Sequence, residues 1–134
     1  RAVMQPVTKY TDKTGNASNS SGNVTTTTDY LFDLSEFQVF GTRSYANQYE
    51  QNYQAQYDYY KAGNTKIANN HTAVTTAVWW GLRSPYYFNT GYFVIVWTGG
   101  SNDYTIADSS GGLRPGFCRY TRSNVVTEGK RLFR

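Results

Sequence analysis

The chain has 134 residues, of which 39% are hydrophobic and 16% charged, with a net charge of +4. That length supports one domain, since a second would be too small to bury its own core. Aromatic residues reach 17% and include 13 tyrosines, a richness that excludes a disordered chain, because disordered chains are charge-rich and aromatic-poor.

In chain order, residues 1–28 read as a polar N-terminal arm. Val3, Val7 and Tyr10 are placed to anchor an edge strand, and the Thr/Asn/Ser/Gly-rich stretch 11–28 is expected as a long loop or an extended surface arm. Asn-x-Ser/Thr sequons begin at Asn16, Asn19, Asn23 and Asn70, and in so Asn- and Thr-rich a chain they are read as compositional. The run Tyr30-Leu31-Phe32-Asp33-Leu34 leans towards β. Ser35 is a candidate N-cap for a short helix ended by Gly41. Leu31, Phe32, Leu34, Phe37, Val39 and Phe40 are the densest early apolar cluster and are expected in the core.

Tyr49, Tyr53, Tyr57 and Tyr60 recur at helical spacing and predict one helix over 48–61, closed by Ala62-Gly63, with the tyrosines packing. Residues 68–76 read as a polar loop with a solvated His71. From 77 onward the pattern is β: a strand over 77–80, a turn at Ser84-Pro85, a strand over 91–97, a hairpin turn at Thr98-Gly99-Gly100-Ser101 and a return strand over 104–107. After a further turn at 109–112, residues 113–120 are expected as the last strand of that sheet. Residues 121–134 form a basic C-terminal tail. Arg119, Arg122, Lys130, Arg131 and Arg134 against Glu128 read as a solvated terminus rather than a nucleic-acid site.

The chemistry points away from catalysis. Cys118 and His71 are the sole cysteine and histidine, so an intrachain disulfide and a Cys- or His-rich zinc site are excluded. A Cys118–His71 dyad is disfavoured because Cys118 reads as a buried strand residue. No paired-carboxylate motif or phosphate loop occurs, and Asn102, Asp103 and Asp108 read as hairpin polarity rather than a calcium site. No apolar run is long enough for a membrane helix, the longest lying near 92–97. No signal peptide is evident. The opening on Arg1, ahead of Met4, suggests a trimmed piece of a longer protein.

Two rigid segments, Trp79-Trp80-Gly81-Leu82-Arg83-Ser84-Pro85 and Gly111-Gly112-Leu113-Arg114-Pro115-Gly116-Phe117-Cys118, bracket a span rich in Tyr, Asn, Ser, Asp and Trp. These are the amphipathic, adaptable residues that paratopes use, and about half of them are expected to be exposed. Arg83 and Arg114 are candidate structural clamps, since a planar guanidinium bonds several loop carbonyls at once.

Together with Tyr30-Leu31-Phe32-Asp33-Leu34-Ser35-Glu36, Val39-Phe40-Gly41 and Gln56-Tyr57-Asp58-Tyr59-Tyr60, these brackets resemble a family of phage, prophage and gut-bacterial domains of C-type-lectin-like fold. The similarity covers about residues 28–120. It implies an α+β fold, with one or two helices packed on a small twisted antiparallel sheet with long loops, and a ligand-binding domain over 29–120. The same fold serves the variable proteins of diversity-generating retroelements, including phage receptor-binding tips, whose C-terminal part carries randomised, ligand-facing positions. The resemblance thus implies a non-enzymatic display domain in a phage tail or on a bacterial surface. Its partner would be a host-surface protein or glycan, with no nucleic acid, membrane insertion or cofactor, and family analogy implies a homotrimer.

Candidate ligand-binding residues on that basis are Leu82, Ser84, Tyr86, Tyr87, Asn89, Tyr92, Ile95, Trp97, Ser101, Asn102, Tyr104 and Asp108. Trp97 is not reachable from the asparagine codons such systems mutate. The alternatives are an oxidase similar to formylglycine-generating enzymes and a structural virion protein. The single Cys118 departs from the cysteine pair with which those copper oxidases work. The calcium-ligand triplet and paired disulfides of sugar-binding C-type lectins are also missing, and Gly81 is an insertion into the family's Trp-Trp-Leu-Arg-Ser-Pro motif.

Overall fold

The Ser35–Gly41 segment folds as its sequence dictates. In the computed structural model, which describes residues 2–12, 20–89, 91–121 and 132–133, helix α1 spans Glu36–Phe40. Its N-terminus carries a capping box in which the Ser35 hydroxyl accepts from Gln38 N and the Gln38 side chain accepts from Ser35 N. Gly41 ends it at φ 71°, a left-handed conformation that other residues enter only with strain.

Strands dominate the rest, giving an α+β fold built from small antiparallel sheets. Strands β1 (Ala2–Gln5), β2 (Val7–Asp12) and β3 (Val24–Asp29) precede α1. A 3-10 turn at Gln48–Tyr53, helix α2 (Asp58–Lys61), and strands β4 (Ala68–Asn69) and β5 (Ala77–Val78) follow it. Then come β6 (Trp80–Pro85), β7 (Tyr92–Val96), β8 (Asn102–Ile106), β9 (Cys118–Thr121) and β10 (Leu132–Phe133). Strands β6-β7-β8 make the central sheet, β1-β9-β10 a second, and β2-β3 and β4-β5 are two-stranded.

Burial alternates along β6, so that Trp80, Leu82 and Ser84 point inward while Gly81 and Arg83 do not. Trp80, Leu82, Val94 and Val96 meet Phe32, Leu34, Val39, Ala46 and Tyr60 in one core. Each large apolar side chain buried there contributes about 1.5–3 kcal/mol. Leu31, expected in that core, is exposed, and Phe37 and Phe40 are only partly buried.

Several local expectations are corrected. The helix over 48–61 is broken in two, with residues 54–57 extended between the 3-10 turn and α2. The tyrosine spacing loses to tertiary bonds: Tyr57 N donates to Gln38 O, Gln54 Nε2 to Tyr10 O, and Gln56 Nε2 to Val39 O. Ser84-Pro85 is the end of β6 rather than a turn. The β6–β7 register is irregular between Gly81 and Pro85, and Pro85, which has no N–H to donate, pairs with Phe93 at the end of the strand. The expected strand over 77–80 splits at Trp79 into β5 and β6. Residues 113–117 run as irregular chain held by a Phe32–Gly116 bridge, and Cys118, half-buried, opens β9 in the other sheet.

The threonine run, expected as loop or arm, is strand β3, paired with β2 from Val7↔Asp29 to Asp12↔Val24. β-branched residues suit that pleated edge. At the C-terminus, Leu132–Phe133 pairs with β9. The sequons at Asn16 and Asn19 and most of the basic tail lie outside the described residues.

Candidate functional site

A buried acid and a half-buried arginine hold the frame. Glu36, fully buried at the start of α1, accepts through Oε1 from the backbone N–H groups of Ser44, Tyr45 and Ala46 at 2.7, 3.0 and 3.0 Å. Its Oε2 accepts from Asn102 Nδ2 at 3.0 Å, tying the 42–46 loop to β8. Arg83 reaches the other way: Nε donates to Thr11 Oγ1, Nη1 to Asp33 O and Gln38 Oε1, and Nη2 to Tyr10 O, at 2.7–3.3 Å. The structural role expected of this arginine is observed, and it stitches β2 to the segment that opens α1.

Arg83→Lys is therefore not conservative. One ammonium cannot reach acceptors spread across a guanidinium fork, so the variant should lose about 2 kcal/mol in chemical denaturation. A wild-type midpoint would contradict this account.

On this frame the Pro85 end of the central sheet gathers a continuous aromatic face. Tyr86 stacks on Tyr104 with ring centroids 4.5 Å apart. Tyr45 meets both edge-on, at 5.7 and 5.1 Å, and Tyr92 meets Tyr104 at 5.8 Å. Tyr87 and Phe88 extend the face from Tyr86, at 5.8 and 6.2 Å. Backbone bonds fix it, with Tyr87 N donating to Tyr45 O and Tyr86 N to Tyr92 O, both at 2.9 Å. Edge-to-face ring pairs add about 0.5–1.5 kcal/mol each beyond their burial. Desolvation, then the neighbouring Tyr104 and Tyr87, pushes the Tyr86 phenol up; desolvation, then Asp103 and Glu36, does the same at Tyr45. Both hydroxyls stay protonated at neutral pH and can donate hydrogen bonds.

The sequence candidates separate by placement. Tyr86, Tyr87, Tyr92 and Tyr104 are brought together in this face, Tyr104 exposed and the others half-buried. Asn89, Ser101 and Asp108 are exposed in turns, and Trp97 is 46% exposed beside the β7–β8 turn. Leu82, Ser84 and Ile95 are buried, so a ligand arriving from solvent does not meet them: β-strand parity turns Leu82 and Ser84 inward, and Ile95 is covered on its own face. Asn102 is half-buried and engaged by Glu36. Sequence reasoning missed Tyr45 and Phe88. Phe88 sits beside Tyr86-Tyr87 and was within reach, whereas Tyr45 comes from a distant loop and carries no local signal.

At the opposite end of β6, roughly 17 Å away along the strand, a cleft of about 770 Å³ opens between the β4–β5 hairpin and residues 110–114. His71 lines it; Cys118 does not. Among the described residues no group of three or more His, Cys, Asp or Glu is arranged to hold a metal ion. No described helix is long and apolar enough to cross a membrane.

The family described as "Domain of unknown function (DUF6273)" matches residues 1–118. The chain belongs to that family. Comparisons with curated proteins and with solved structures gave no match. The DUF6273 region runs from β1 to the first residue of β9, so it includes the β2–β3 hairpin, the Glu36 and Arg83 networks and all six rings of the aromatic face. Of the described residues, only the rest of β9 and β10 lie beyond it.

Proposed function

We propose that this DUF6273 protein is a non-enzymatic ligand-binding display domain of C-type-lectin-like fold, a variable protein of a diversity-generating retroelement from a phage or prophage. The observation that carries this reading is the contiguous aromatic face of Tyr45, Tyr86, Tyr87, Phe88, Tyr92 and Tyr104, in which Phe88 and Tyr104 are exposed and the other four rings half-buried. Contiguous exposed aromatic surface marks an interaction site, and tyrosine supplies contact area at low entropic cost. The clamps Glu36 and Arg83 bond to Tyr45, Asn102, Asp33 and Gln38 among others, and none of their bonds reaches Asn89, Ser101 or Asp108. Residues such as Asn89, Ser101 and Asp108 can therefore change without disturbing them. Its partner is a host-surface protein or glycan, the location a phage tail or bacterial surface, and the assembly a homotrimer.

Two measurements test the proposal. Sequencing the flanking DNA should reveal a near-copy of the segment encoding residues 79–118, differing at adenines and lying beside a reverse transcriptase. Retention of the purified domain on host cells should fall at least about tenfold in Tyr104→Ala, as expected for loss of a central aromatic anchor. Undiminished retention by folded Tyr104→Ala would place recognition elsewhere.

A further inference from the structure

We propose that the cleft at the Trp80 end of β6 is a separate binding site for carboxylated monosaccharides, with Arg114 taking the carboxylate and Trp79 the apolar face of the sugar. This site does not depend on the display reading, because it shares no residue with the aromatic face.

Arg114 carries the argument. Its guanidinium lies over the Trp80 ring, 5.3 Å from the centroid, and its Nη1 is buried without a hydrogen-bond partner. Arg83, by contrast, has acceptors for all three of its nitrogens. A guanidinium held in place by an indole, with a buried nitrogen bonded to no described acceptor, is set to receive an anion. Among the described residues no Asp, Glu or Lys lines the cleft, so none of them competes for the guanidinium or repels a carboxylate.

The remaining lining suits a hydroxyl-rich ring. Asn69, His71, Thr98 and Ser110 supply amide, imidazole and hydroxyl groups, and the half-buried Trp79 supplies an indole. A pyranose presents hydroxyls around its edge and C–H groups on its face, which these two sets of groups match. The volume of about 770 Å³ is in the range of small-ligand sites, so one or two sugar rings fit.

The cleft is also preformed. Gly112 N donates to Trp79 O at 2.8 Å, and Gly81 N to Gly112 O at 3.3 Å, joining the two walls. A Cβ on Gly111 would collide with the six-membered ring of Trp79, so glycine is what lets the backbone lie against the indole. Across the cleft Asn70 N donates to Thr76 O, and Asn70 Oδ1 accepts from Thr72 N, closing the hairpin loop.

The test is an NMR titration of the full 134-residue chain with glucuronic acid, N-acetylneuraminic acid and, as neutral control, glucose. At least one acidic sugar should move the Trp79 indole N–H resonance saturably, and glucose should bind at least about tenfold more weakly. Arg114→Gln should weaken acidic-sugar binding about tenfold or more, the loss expected for a charge-assisted pair. Ser110→Tyr, at an exposed position on the rim, should block binding with the melting temperature unchanged, which keeps the test decisive if Arg114→Gln misfolds. The proposal is overturned by equal binding of glucose, by a Trp79 resonance that neither acid moves, or by full affinity in either folded variant.

Discussion

Glu36→Ala should lower the stability of the domain by about 4 kcal/mol, the largest effect expected of any single substitution here. The Glu36 side chain is fully buried, and among the described residues no cation pairs with it; its oxygens accept from three backbone N–H groups of the 42–46 loop and from the Asn102 amide. Truncation removes all four bonds and leaves a buried donor at Ala46 and a part-buried one at Tyr45 with no acceptor. Each such donor costs about 1–3 kcal/mol, and the losses are not fully additive. A domain of this size has about 5–15 kcal/mol in hand, so the variant would keep a small margin or unfold. Glu36→Gln retains an oxygen for the N–H groups and should lose about half as much. Urea denaturation of the three proteins checks the order; an Ala variant within about 1 kcal/mol of wild type would refute this reading of the network.

The same network bears on the aromatic face. Tyr45 is bonded through its N–H to Glu36 and through its ring to Tyr86 and Tyr104, so the carboxylate holds a part of the face that lies far away in sequence. Loss of Glu36 should therefore dim the near-ultraviolet circular dichroism of the stacked tyrosines before the far-ultraviolet signal falls.

What could be read from the sequence was what short-range chemistry determines. Ser35 and Gly41 mark α1 because a hydroxyl three residues from an N–H and a glycine at positive φ are local requirements. The β7–β8 hairpin was legible in an apolar run followed by Gly99-Gly100, with Gly100 at φ 88°. Arg83 could be suspected because a guanidinium among loop residues seeks carbonyls. The roles of Glu36, Asn102 and Tyr45 could not be read, since each depends on a partner many residues away and none has a periodic neighbour. The tyrosines at 49–60 show the converse, a clean helical spacing overruled by Gln54, Gln56 and Tyr57, whose bonds run outward to β2 and α1. The rings of Tyr86, Tyr87, Tyr92 and Tyr104 meet through tertiary contacts that their spacing along the chain does not show. For Leu82 and Ser84, strand parity alone decided burial.

The second large effect is a stability that declines as pH rises. Glu50 is 1% exposed, and burial pushes its carboxyl up to about 7, against the pull of Ser84, the Asp12 N–H and Arg83 and with the push of the Asp12 charge. Its Oε1 accepts from Asp12 N at 3.0 Å, while Oε2 has no hydrogen-bond partner among the described residues. In the unfolded chain the same group titrates near its ordinary 4.5, so between about 4.5 and about 7 the folded protein holds a proton that the unfolded one releases. Stability must then fall with rising pH across that window. At about 1.4 kcal/mol per unit the total is roughly 3 kcal/mol, complete just above pH 7. Asp33, raised chiefly by desolvation, acts in the same direction, whereas Asp29, lowered by Lys9, opposes it only at acid pH. Glu50→Gln keeps an oxygen for the Asp12 N–H and cannot ionise. It should exceed wild type by about 1 kcal/mol at pH 5 and by about 3 kcal/mol at pH 8, and flatten the profile between. Urea midpoints at pH 5, 6, 7 and 8 decide the matter, because a wild-type profile already flat over that range means that Glu50 folds as a carboxylate, with Arg83 close enough to carry its charge.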